Sequence, residues 1–263
     1  MPLVFSPYIE LLWKHLPASL EEIKAAGFDG VECHLIGRLR SADRVQEVRR
    51  EASRLGLRLR FHQGWSWRTG QRGLINMLLR PLGALVPHGM PLCDQVSAIG
   101  PNPVVIYGNL LHEDRDKYRY QTASEHVNGG PYARAFKDFV QKALMDKCLI
   151  VFDTQHVLEW DANVLGVEGL PSDQAVLLDR VTALWRLLRS QVVEIHLCDF
   201  DPRLGRSHGR NLFLGDGVFP LEAFCQVVKE SGWHGIVTPE VKPQHLRGDR
   251  LHMECEKVRQ LFN

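Results

Sequence analysis

Short runs of β-branched and aliphatic residues alternate along this chain with longer segments of helical period. The apolar runs predict strands over residues 3–8, 30–35, 57–63, 103–108, 120–126, 148–156, 192–200 and 235–242. Between them, the spacing predicts helices over 19–26, 41–55, 132–145, 172–188 and 221–230, with a last one over 249–261. In the helix over 41–55, Val45, Val48, Ala52 and Leu55 fall at i, i+3, i+7 and i+10, one apolar stripe opened by Ser41 and stopped by Gly56. The helix over 221–230 follows Pro220, a residue tolerated where a helix begins, and stops before Gly232. Helix-length connections leave neighbouring strands parallel.

Eight such units in 263 residues predict one α/β domain, a closed (β/α)8 barrel over residues 1–263. The rival is an open doubly wound sheet, but no G-x-G-x-x-G follows the first strand. Two stretches strain the count. Residues 109–119 are short and charged, enough for one or two helical turns. Residues 64–92, after the third strand, read as an inserted segment over the barrel mouth.

Composition narrows the function classes. The chain is 44% hydrophobic and 24% charged, ordinary for a globular protein. With 32 Lys and Arg against 31 Asp and Glu, the net charge is +1, which argues against a nucleic-acid grip. No apolar run reaches the roughly 18 residues of a membrane span. The N-terminal stretch lacks a basic region and a small-residue cleavage site, so no secretory signal is read. Six cysteines, at 33, 93, 148, 198, 225 and 255, form no C-x-x-C pair. They suggest a reducing cytoplasm and argue against a zinc site built on thiolates.

In a parallel barrel the active groups gather at the carboxyl ends of the strands. Those ends carry Glu32 and His34, His62, Tyr107, Glu125 and His126, Asp153 and His156, His196 and Asp199, and Glu240. Asp153 and His156 in CLIVFDTQH are matched on the next strand by His196 and Asp199 in VVEIHLCDFD, the same spacing with residue types exchanged. Carboxylates and imidazoles facing one cavity repel or neutralise one another unless a cation intervenes, and such a donor set suits Mn, Mg, Zn or Co. The expected metal ligands are Glu125, Asp153, His196 and Glu240. Plainer readings stand beside this one: Asp153 as a helix cap, Glu240 paired with Lys242, Glu125 in a loop, and His62 in a core.

In order, EEIKAAGFDGVECHL, FHQGW, SEHVNGG, VFDTQH, VEIHLCDFD, LFLGDG and VTPEVKP resemble the strand-end signatures of the xylose-isomerase-like TIM-barrel superfamily. That superfamily includes sugar isomerases and epimerases, dehydratases and apurinic-site endonucleases. The resemblance covers nearly the whole chain and implies a TIM barrel with one divalent metal ion on Glu125, Asp153, His196 and Glu240. It also implies substrate contacts from His156 and from an arginine shortly after the histidine strand, here Arg203. The endonucleases' extra ligands are not matched: the fourth strand ends in Tyr107, and Gly209-Arg210-Asn211 stands where an Asp-x-His would, with His208 displaced. The second glutamate of the epimerase subgroup is replaced by Pro131.

The expected chemistry is isomerisation or epimerisation of a small sugar or hydroxy-carbonyl compound through a metal-stabilised enediolate, with Glu125 and Glu240 moving the proton. His62, His156, Arg203, Lys242 and Trp65 are the expected substrate-binding residues, with Trp65 and Trp67 closing from the inserted segment. The partner is a small carbohydrate-like molecule, and barrels of this type commonly pair as homodimers. A metal-dependent dehydratase or lyase, a phosphodiesterase and a non-catalytic barrel are the alternatives.

Overall fold

A computed structural model of the chain describes residues 4–7, 16–34, 42–63, 104–107, 122–125, 149–158, 173–204, 208–242 and 249–263. The strands are β1 (Val4–Pro7), β2 (Gly30–His34), β3 (Arg58–Gln63), β4 (Val104–Tyr107), β5 (Thr122–Glu125), β6 (Ile150–Asp153), β7 (Val192–Leu197) and β8 (Ile236–Val241). The described helices of eight residues or more are α1 (Leu16–Ala25), α2 (Ala42–Arg54), α3 (Gln174–Leu188), α4 (Leu221–Glu230) and α5 (Arg250–Phe262). Every strand pairs in parallel with the next. Ser6 and Pro7 of β1 pair with Glu240 and Val241 of β8, so the strand order closes on itself as a barrel. The helix expected over 132–145, the turns expected over 109–119 and the inserted segment over 64–92 lie outside the described residues. No described helix is long and apolar enough to cross a membrane.

The strands are shorter than the apolar runs suggest, and side-chain hydrogen bonds explain where they stop. Strand β6 ends at Asp153 rather than at 156, because Asp153 Oδ1 accepts from the backbone N–H of Gln155 at 2.8 Å and of His156 at 2.6 Å. That cap starts a helical turn over 154–158. Strand β7 ends at Leu197; beyond it the Thr154 hydroxyl accepts from the N–H of Cys198 at 2.9 Å and lies 3.0 Å from its carbonyl. Helix α3 is capped by Asp173, whose side chain accepts from the backbone N–H of Ala175 and Val176.

Strand register decides which side of the wall each residue takes. Glu32 pairs with Arg60 and His34 with His62. Asp153 pairs with His196, and His196 with Thr238. Because successive side chains alternate, these positions and Glu194 and Glu240 share one face of the sheet. The opposite face carries Val31, Cys33, Leu59, Ile150, Phe152, Ile195, Leu197 and Val237, which join one apolar core with residues of the helices. Trp185 of α3 is its largest fully buried side chain. Its ring meets Phe152 at 5.5 Å, Phe224 at 6.0 Å and Trp233 at 5.6 Å between centroids, all edge-on, the arrangement aromatic quadrupoles favour. Val48 and Ala52 of the predicted stripe on α2 are buried in the same core, with Leu55 packed at its margin. The apolar core is therefore a shell between sheet and helices.

Trp185→Ala is expected to destabilise the fold by about 3–5 kcal/mol, the cost of emptying a large aromatic site; the midpoint of denaturant unfolding measures it.

Candidate functional site

On the inner face, buried polar side chains converge near the carboxyl ends of β6, β7 and β8. Glu240 lies at their centre. Its Oε1 is 3.4 Å from His196 Nδ1. Its Oε2 accepts from Asn211 Nδ2 at 3.3 Å and lies 3.9 Å from Cys198 Sγ. The Cys198 thiol is 3.4 Å from Asp153 Oδ2. Two sets of potential ligand atoms result, Glu32–His196–Glu240 and Asp153–Cys198–Glu240, the atoms of each set lying within 4.8 Å of one another. All five residues are buried.

Asp153 divides its carboxylate between two tasks. Oδ1 is taken by the cap of the following turn, while Oδ2 faces Cys198. The helix-cap reading and the ligand reading of Asp153 are thus compatible, because each uses a different oxygen.

Below this level on the same face lies an ionic floor. The Arg60 guanidinium pairs with Glu194, which also accepts from the Thr238 hydroxyl. His196 Nε2 looks toward this floor, 3.5 Å from Glu32 Oε1 and 3.8 Å from Glu194 Oε1. Four carboxylates therefore share the barrel interior with one guanidinium and one imidazole among the described residues there. Burying such an excess of negative charge is costly unless a cation balances it. Carboxylate oxygens, an imidazole nitrogen and a nearby thiol fit a divalent first-row cation. The donors present thus suit the kind of metal expected from the sequence.

The loop from Asn211 to Phe219 completes the wall beside Glu240. Asn211 adopts φ 50°, a left-handed conformation that asparagine tolerates better than most residues. Its N–H donates to Gln155 Oε1 at 3.0 Å, and its carbonyl accepts from Lys242 N at 3.0 Å. Asp199, whose carboxylate accepts four backbone N–H groups, holds the rest of the loop: Phe200 and Phe219 at Oδ1, Gly215 and Gly217 at Oδ2. Burial nevertheless pushes the Asp199 carboxyl above its ordinary range, against those four donors. Gly217 must be glycine, because a Cβ there would stand 2.2 Å from Asp199 Oδ1. Asp199 is a loop brace and belongs to neither ligand set.

The other expected residues are placed as follows. Glu125 ends β5, and its backbone pairs with Tyr107 and Val151. His62 lies on β3 opposite His34 and Val105. The side chains of Glu125 and His62, and all of Trp65, lie outside the described residues. His156 is half-buried on the turn that Asp153 caps. Lys242 follows β8 and meets Asn211 through its backbone. Arg203 is exposed in a 3-10 turn (Pro202–Leu204) and forms a two-pronged pair with Asp201, Nε to Oδ1 at 2.8 Å and a terminal nitrogen to Oδ2 at 2.7 Å. That hydrogen bonding holds the Asp201 carboxyl below its usual range.

Arg60, Glu194, Cys198 and Asn211 were not among the expected site residues. Period-two alternation carried the signal for three of them. Arg60 stands two before His62, and Glu194 and Cys198 flank His196 at two residues on either side. Asn211 arrives by a loop, where no periodicity helps.

A parallel β/α barrel with buried carboxylates and a histidine gathered at its strand ends is an enclosure whose donors suit a metal ion. The xylose isomerase-like TIM barrel family matches residues 121–256, just over half the chain, and this chain belongs to it. It is 26% identical over 246 residues to a 3-dehydroshikimate dehydratase of Pseudomonas aeruginosa, covering 86% of this chain and 36% of the relative. The chain thus spans about a third of that curated relative's length. Among solved structures, it resembles a D-tagatose 3-epimerase-like protein with a TM-score of 0.64 at 15% identity, covering 99% of this chain and 97% of the other. It also resembles the IOLI protein solved with a zinc atom, with a TM-score of 0.59 at 15% identity, covering 100% and 98%. At such identities the structures speak for the fold alone.

The loop supplies a test through Glu254 of α5, which accepts from Leu214 N at 3.2 Å. Burial lifts its carboxyl to about 8, and Asp199 and Asp216 nearby add to the rise. Because the folded value exceeds the unfolded one, the stabilisation is fully present below about 4.5 and is lost as pH rises through about 8. Thermal melts from pH 5 to 9 should show wild type losing stability, on the order of a few kcal/mol, while Glu254→Gln loses distinctly less.

Proposed function

We propose that this protein is a divalent-metal-dependent enzyme that removes a proton α to a carbonyl of a small hydroxy-carbonyl compound. The observation that carries the reading is Glu240, a buried carboxylate shared by both ligand sets and touching His196 on one side and Asn211 on the other. Glu125, Asp153, His196 and Glu240 would hold the cation, with Glu32 and Cys198 in reach of the same space. When bound, the cation supplies Lewis acidity at neighbouring carbonyl and hydroxyl oxygens of the substrate.

The chain's own groups do the rest. Glu125 and Glu240 sit on β5 and β8, with β6 and β7 between them, so a substrate held over Asp153 and His196 would lie between these two positions. One takes the proton and the other returns it, to the same carbon for epimerisation or to its neighbour for isomerisation. Asn211 keeps Glu240 oriented through its amide. His62 and His156 would hold substrate hydroxyls, Lys242 or Arg203 a distal anionic group, and Trp65 would help exclude water.

Dehydration is the second reading, favoured by the similarity to a 3-dehydroshikimate dehydratase. It begins with the same proton removal and diverges afterwards, when a β-hydroxyl leaves as water instead of the carbon regaining a proton.

Protein purified with one equivalent of bound divalent metal should exchange a carbon-bound proton of a keto-sugar, or of 3-dehydroshikimate, with deuterated solvent. Product analysis by NMR separates the two readings: an isomer or epimer in one case, an unsaturated product in the other. Glu240→Gln and Glu125→Gln should each lower kcat by at least about 100-fold. Unchanged metal content together with unchanged turnover in both variants would overturn the assignment.

A further inference from the structure

Among the described cysteines, Cys198 alone stands outside the apolar core. Cys33, Cys225 and Cys255 pack among its aliphatic and aromatic side chains, where a thiol serves as a small hydrophobe. Cys198 is as deeply buried, but its sulfur meets polar groups: Asp153 Oδ2 at 3.4 Å, Glu240 Oε2 at 3.9 Å and Asn211 Nδ2 at 3.5 Å. A thiol carries a single proton, so it can donate to only one of these two carboxylates. A cation seated among the three answers both carboxylates and the sulfur together.

The spacing suits a cation. With Zn–S at about 2.3 Å and Zn–O at about 2.0 Å, tetrahedral angles put a sulfur ligand about 3.5 Å from each oxygen ligand. The separations from Cys198 Sγ, 3.4 and 3.9 Å, lie close to that edge. The backbone holds the sulfur there: the Thr154 hydroxyl accepts from Cys198 N–H at 2.9 Å and lies 3.0 Å from the Cys198 carbonyl. Thr154 follows Asp153 directly, so the two ligand-bearing stretches are tied together. Asn211 Nδ2 also reaches Glu240 Oε2, at 3.3 Å, and an N–H donor beside ligand atoms is support that metal ligands commonly have.

We propose that Cys198 is a further ligand of the cation, through Sγ alongside Asp153 Oδ2 and Glu240 Oε2, and that it makes the site select zinc over magnesium and manganese. Sulfur is a soft donor that suits zinc, whereas an all-carboxylate set suits the harder ions. The thiol proton leaves to solvent as the bond to the cation forms. The inference rests on the metal site proposed above and names the ion it takes.

The test titrates chelator-stripped protein, wild type and Cys198→Ser, with cobalt, zinc, magnesium and manganese. Wild type with cobalt should show a near-ultraviolet sulfur-to-cobalt charge-transfer band, absent in Cys198→Ser. The variant should bind zinc at least about 10-fold more weakly while its manganese affinity stays within about twofold. Cobalt bound without the band, or the band kept in Cys198→Ser, would overturn the proposal. Equal losses for zinc and manganese would overturn it too, as the mark of a structural role only. If the variant fails to fold, cadmium–proton NMR correlation in wild type decides, since coupling to the Cys198 β-protons is expected and its absence overturns the ligand. Wild type that binds none of these ions sinks the metal site and the inference with it; ions bound without any sulfur signature sink the inference alone.

Discussion

The constraint on which the rest depends is electrostatic: Glu32, Asp153, Glu194 and Glu240 are all buried inside one barrel. Carboxylates in a low-dielectric interior repel one another and lose hydration, so each needs a partner that the fold supplies or a cation that the fold recruits. Arg60 answers for Glu194. Backbone N–H groups answer for one oxygen of Asp153, and Asn211 for one of Glu240. What is left, at the strand ends, is a cluster of oxygen and nitrogen donors gathered around Glu240. Local structure follows from this arrangement as much as it produces it: the strand ends, the capped turn and the left-handed Asn211 all lie where a carboxylate had to be held.

Two vertical levels share the labour. The upper one, at the strand ends, offers ligand atoms and faces the loops. The lower one, Arg60 with Glu194 and Thr238, is closed by its own ion pair. His196 spans both, with one ring nitrogen toward each. A buried ion pair is weak support for stability, since hydrophobic residues of similar volume often do as well or better.

Much of this was legible in the sequence because strands in a barrel announce themselves twice, by apolar runs and by the residues that end them. The eight strands lie where the runs predict them, and Asp153, His196 and Glu240 are placed by short, strongly apolar segments. Strand ends were misjudged where a side chain intervened: nothing in the composition of FDTQH says that Asp153 turns the chain at once. Arg60 and Glu194 escaped notice because single charged residues inside β-rich segments look like surface positions until the closed barrel gives both faces of the sheet an inside. Asn211 escaped because its role depends on a loop braced by Asp199, a contact between distant stretches that no local pattern encodes.

The separation between the apolar shell and the polar interior has an evolutionary corollary. Cohesion resides outside the wall, where Trp185, Phe152 and Phe224 lock helices to strands, whereas the buried charged groups reside within it. Sequence variation is therefore filtered twice, in the shell by volume and shape, and in the lumen by whether the buried charges stay balanced.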